Sequence, residues 1–129
     1  MSARIERQQI LYDEGRTFRF LVAERVLEWP LGGPSVAGAQ RDRLASLARL
    51  PSVEVAVLPA GATVAAPWHN FIIWESAGVP ASFVTMELVH GAQEVHDPER
   101  VQLYDELWER LWSASLTGDE ALELIRALT

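Results

Sequence analysis

The sequence predicts an α+β fold: a mixed four-stranded sheet on a β-α-β-β-β core, with an N-terminal helix and two C-terminal helices packed on it. Three observations predict it. Within Leu50-Pro51-Ser52-Val53-Glu54-Val55-Ala56-Val57-Leu58-Pro59, valines alternate at a period of two between prolines. The other face of that strand, Glu54-Ala56-Leu58, is only partly polar, which places it inside a sheet. A helical pattern separates it from an earlier strand, and a β-α-β crossover favours parallel pairing. Finally, Asp97-Pro98-Glu99 opens a long amphipathic helix with an acid as cap and proline in the first turn.

In order, Ser2 caps a short expected helix over Ala3–Leu11, and Asp13-Glu14-Gly15 breaks the chain. Thr17–Ala23 reads as the first strand, with Phe18, Phe20 and Val22 on one face. Glu24–Trp29 fits a helical turn or an extension of that strand. Gly32-Gly33-Pro34 punctuates, and a helix follows from about Ser35 to Arg49. After the Val53–Leu58 strand comes a small-residue loop, Ala60–Pro67. Asn70–Glu75 and Ser82–Val89 are the next strands, and Gln93–Val95 is a candidate fifth. The Asp97 helix carries Val101, Tyr104, Leu107, Trp108, Leu111 and Trp112 on one stripe, opposite Glu99, Gln102, Glu106, Glu109 and Arg110. Thr117 and Glu120 stand at capping-box spacing before a last helix through Leu128. The whole of residues 1–129 is read as one domain.

Composition narrows the function classes. All 11 basic residues are arginine, and there is no cysteine, so disulfides, thiol nucleophiles and thiolate metal sites are excluded. The net charge of −7 is uneven. Residues 1–50 carry eight arginines against six acids, whereas residues 94–129 carry nine acids against three arginines. No basic face offers itself to phosphates, which argues against nucleic acid and anionic membrane as direct partners. The longest apolar stretch, Val55 to Trp68, is interrupted by Pro59, Gly61, Thr63 and Pro67, and no signal-peptide pattern opens the sequence. A cytoplasmic location is expected.

Few residues point to chemistry. His69, His90 and His96, with Glu75, Glu87 and Asp97, offer the right ligand types for a divalent metal, yet no two histidines stand at i, i+4 spacing. No metal and no cofactor are expected. If the protein is an enzyme, His69 with Glu75 or Glu87 supplies the acid and base, since both residue types can be tuned towards neutral pH. Five tryptophans are the least ordinary feature. Trp108 and Trp112 share a helix face and read as core. Trp29, Trp68 and Trp74 lie beside loops or strand ends. With His69 they are the candidate lining of a ligand pocket or partner surface, because tryptophan suits the boundary of an apolar site and a wet rim.

Several segments occur here in one order: Arg7-Gln8-Gln9-Ile10-Leu11, Phe18-Arg19-Phe20-Leu21-Val22 with Glu24, Gly32-Gly33-Pro34, and Arg49-Leu50-Pro51-Ser52-Val53 through Pro59. Asp97-Pro98-Glu99, Leu116-Thr117 and Ala127-Leu128 complete the set. The set resembles the C-terminal domain of unknown function in actinobacterial Xre-type helix-turn-helix regulators, also described as antitoxin-like. The resemblance runs from about Ala3 to Leu128. It implies a non-catalytic regulatory module that follows a DNA-binding domain and senses a ligand or a small acidic partner protein; the tryptophan-lined site makes a small apolar molecule the natural ligand. The resemblance carries over no catalytic residue. The helix-turn-helix itself is not in this sequence, and Ala65-Ala66-Pro67-Trp68-His69 stands where the family usually has a glycine-rich stretch. An excised domain, a partner-binding remnant and a copy recruited elsewhere all fit. The alternative from another class is a small stand-alone enzyme of secondary metabolism with a tryptophan-lined pocket. A homodimer sharing the Leu107–Trp112 stripe is a third reading.

Overall fold

Proline-bounded valines do form a strand, and it sits at the centre of a sheet. The computed structural model describes residues 16–29, 32–64, 70–76 and 79–128. The expected helix over Ala3–Leu11 lies outside the described residues, as do Trp68 and His69. The elements are β1 (Phe18–Ala23), α1 (Glu24–Glu28), α2 (Pro34–Leu47), β2 (Val53–Leu58), β3 (Ile72–Ser76), β4 (Val79–Leu88), β5 (Gly91–Val95), α3 (Pro98–Ser113), β6 (Leu116–Thr117) and α4 (Gly118–Ala127).

The expectation of an α+β class holds, but the single four-stranded sheet does not. Two three-stranded sheets take its place, ordered β1-β2-β6 and β3-β4-β5. The cause is the connection between β2 and β3. A hairpin forces its strands together only when the link is about two to five residues. The residues from Pro59 to Phe71 form a much longer link, so β3 is not held to β2. The free edge of β2 instead pairs with the two-residue β6, at Ala56↔Thr117 and Val57↔Leu116. Two compact units result: the chain through Ala62 together with Ala114 onward, and Thr63–Ser113.

In the first unit β1 and β2 are parallel, in register from Phe18↔Val53 to Ala23↔Leu58, as the crossover rule expects. The ambiguous Glu24–Trp29 stretch resolves into α1. Glu24 Oε1 accepts the backbone N–H of Ala60 at 2.9 Å, and Arg41 Nη1 donates to the Leu27 carbonyl at 2.9 Å, which ties α1 to the end of β2 and to α2. Gly33 caps α2 at φ 92°, a conformation that a side chain resists. The valine row of Val53, Val55 and Val57 meets Ala121 and Ile125 of α4, with Phe18, Phe20, Leu44 and Leu47 around them.

The second unit is an antiparallel meander with α3 on one face. Val84 and Met86 of β4 and Val95 of β5 form the covered row, closed by Val101. Tyr104 adds a ring 5.1 Å from Phe71, tilted by 55°, and its hydroxyl lies 3.9 Å from Met86 Sδ. Trp108 and Trp112, expected as core, stack at 5.5 Å and are half-buried, while Val101 and Leu111 are the buried members of the α3 stripe.

Candidate functional site

Strand alternation gives the meander a second face, opposite the Val84–Met86–Val95 row. Register builds it row by row. Trp74 pairs with Phe83, and Ile72 with Thr85. Thr85 pairs with Glu94, and Glu87 with Ala92. One step beyond Val95, His96 continues the line of Trp74 and Phe83. The face therefore presents an aromatic row of Trp74, Phe83 and His96, then a row of Ile72, Thr85 and Glu94, then Glu87 and Ala92.

The aromatic row is an ordered stack. Trp74 and Phe83 have centroids 6.2 Å apart with planes 13° from parallel, and Phe83 and His96 lie 4.9 Å apart at 16°. Trp74 Nε1 donates to Thr85 Oγ1 at 2.8 Å, which fixes the indole over its neighbour. His96 Nε2 lies 3.4 Å from Glu94 Oε2, orienting the imidazole from the other end. Despite this order the row is wet. Trp74 is 38% exposed and Ile72 51%, and His96 and Glu94 are exposed as well. An indole held in one rotamer and left in solvent is the kind of anchor that dominates binding surfaces, since little side-chain entropy remains to be lost.

Charge distinguishes this unit too. Residues 63–113 contain Glu75, Glu87, Glu94, Asp97, Glu99, Asp105, Glu106 and Glu109 against Arg100 and Arg110, a net of −6 out of −7 for the whole chain. Asp105 shows the consequence. Partial burial lifts its carboxyl above the usual range, and the neighbouring charges of Glu75 and Glu109 add to the lift.

Residues named from the sequence are distributed as follows. Trp74 is in the stack. Trp29 follows α1 in the first unit and is 61% exposed. Glu75 and Glu87 do not share a site: Glu87 stands on the stack's face, and Glu75, next to Trp74 in β3, points to the opposite one, towards Asp105. The expected acid-base pairing of His69 with Glu75 or Glu87 falls outside the described residues, because His69 does. Among the described residues no group of three or more histidines and acids could hold a metal ion, and no helix is long and apolar enough to cross a membrane. Phe83 and Thr85 were not legible as site residues, and His96 was legible only as a metal-ligand type. Their signal is the cross-strand register, which needs the turn geometry.

Residues 1–127 match the family described as a domain of unknown function, DUF5753. The chain belongs to that family. No curated protein and no solved structure matches it. The DUF5753 match spans both compact units, so the valine-centred sheet and the aromatic meander fall within one family region.

Proposed function

We propose that this DUF5753 chain is a non-catalytic regulatory module of the cytoplasm, of the kind that accompanies an Xre-type helix-turn-helix DNA-binding domain in actinobacteria. In this reading it recognises its target through the Trp74–Phe83–His96 stack. The observation that carries the reading is the stack itself: three near-parallel rings, hydrogen-bonded in place at one end by Thr85 and approached by Glu94 at the other, on a solvent-facing sheet face. A sheet face of this kind is costly to leave wet unless something docks there.

The test compares wild-type protein with Trp74→Ala after incubation in cell extract, by native mass spectrometry and quantitative affinity capture. At least one small molecule or protein should be retained by the wild type and lost by the variant, with circular dichroism showing both folded. Retention of the same species by both would remove the stack from the function.

A further inference from the structure

We infer that the stack's face docks an arginine-bearing segment of a partner protein. This assignment rests on the reading that the stack is the recognition surface, and it names the chemistry that fits. Three independent features of the face converge on a cationic, planar group. First, Trp74 ends the stack, so the indole face turned away from Phe83 has no ring of the stack against it, and the indole is 38% exposed. A guanidinium stacks on such a face through cation–π attraction, best on tryptophan and better than an ammonium does, because it is planar and weakly hydrated. Second, the carboxylate of Glu94 stands on the same face in the next row, with one oxygen, Oε2, 3.4 Å from His96 Nε2. A carboxylate accepts two parallel N–H bonds from a guanidinium, which fixes the approach as well as the affinity.

Third, the charge of the surroundings is one-sided. Among the described residues on this face, Ile72, Trp74, Phe83, Thr85, Glu87, Ala92, Glu94 and His96, there is no arginine. The unit that carries it has a net charge of −6. Such a field draws in a cationic segment and turns away an acidic one. A segment rather than a single small molecule fits the layout. The rings and the carboxylate lie on three adjacent strands spaced roughly 4.8 Å apart, so contacting both Trp74 and Glu94 takes groups about 10 Å apart, more than one guanidinium spans. An extended chain with two or more arginines reaches both.

The experiment titrates the full chain with a capped heptapeptide of arginines alternating with glycines, and with the same peptide carrying glutamate in place of arginine. Tryptophan fluorescence and calorimetry read the binding. The arginine peptide should bind and the glutamate peptide should not. Trp74→Ala should weaken the arginine peptide by at least tenfold and Glu94→Gln by several-fold. Glu106→Gln, which removes a charge from the solvent side of α3, should change it by less than twofold. Equal losses from Glu94→Gln and Glu106→Gln would mean diffuse attraction and would overturn the docking site. Binding of the glutamate peptide with loss in Trp74→Ala would overturn the cationic partner while leaving the stack as the recognition surface. Peptide binding indifferent to Trp74→Ala would overturn both.

Discussion

In β2 every side chain except Glu54 is buried, with Ala56 and Val57 fully so. In β4 the buried Val84 and Met86 alternate with Phe83, Thr85 and Glu87 on a face that meets water. The two central strands thus serve different ends. The first unit is nearly neutral, ten acids against nine arginines, and closes its valine row beneath α4. The second holds nearly all the net charge and leaves a stacked aromatic row exposed. Apolar area removed from water contributes stability, at roughly 25 cal/mol per Å²; ordered apolar area left in water contributes recognition. Under the proposed function, the first role falls to the β2 sheet and the second to the meander.

The sharpest way to break that comparison is Ile125→Ala. Ile125 is 1% exposed against the valine row, so truncation leaves a cavity and should cost ~3 kcal/mol. Urea denaturation would show it as a lowered midpoint at unchanged slope. Trp74→Ala deletes a larger side chain but should cost less than half as much, ~1 kcal/mol, from one hydrogen bond and one partly wet stack. If the two costs proved equal, Trp74 would be a core residue and the meander face a structural one.

Gly118→Ala should cost about as much as Trp74→Ala, by another route. Gly118 opens α4 at φ 56°, and a Cβ there would meet nothing within 4 Å, so the penalty is backbone conformation alone. It should be ~1 kcal/mol. Because α4 supplies Ala121 and Ile125, that loss should appear in the first unit, as faster amide exchange across β2 with the meander unchanged.

These residues also show how far the sequence was legible. The valine row, its central place and its parallel partner could be read because a period of two and a crossover each admit few solutions. β6 could not be read, since two residues carry no periodicity. Thr117 and Glu120 had capping-box spacing, yet the Thr117 side chain makes no cap bond. The positive φ of Gly118 sets the entry into α4 instead. At the site, Trp74 was legible as an unusual residue beside a loop. Its companions were not, because Phe83 and His96 reach it only through a register interrupted by an irregularity between Trp74 and Ser76. Alternation alone could have separated Glu75 from Trp74; it could not have said that Glu87 shares Trp74's face, since that depends on the pairing of two strands.

The smallest effect tests the electrostatic side of the comparison. Asp105 is half-buried beside Glu75 and Glu109, and its carboxyl is raised above the ordinary range, first by burial and then by those charges. A raised carboxylate binds its proton more tightly in the folded chain than in the unfolded one. Stability therefore falls as pH rises from the ordinary aspartate value, about 3.9, through the raised one, and the penalty is complete above it. Asp105→Asn should remove that penalty. The variant should be more stable than the wild type at pH 7, by no more than a few tenths of a kcal/mol because solvent screens a half-buried group. The advantage should shrink in added salt, as the contribution of the like charges does, and vanish as the pH drops below the ordinary aspartate range. Thermal melts of both proteins from pH 3 to pH 8 would check it. A destabilised variant at pH 7 would mean that the Asp105 carboxylate is held by favourable contacts, and that the meander's negative charge is balanced where it meets α3.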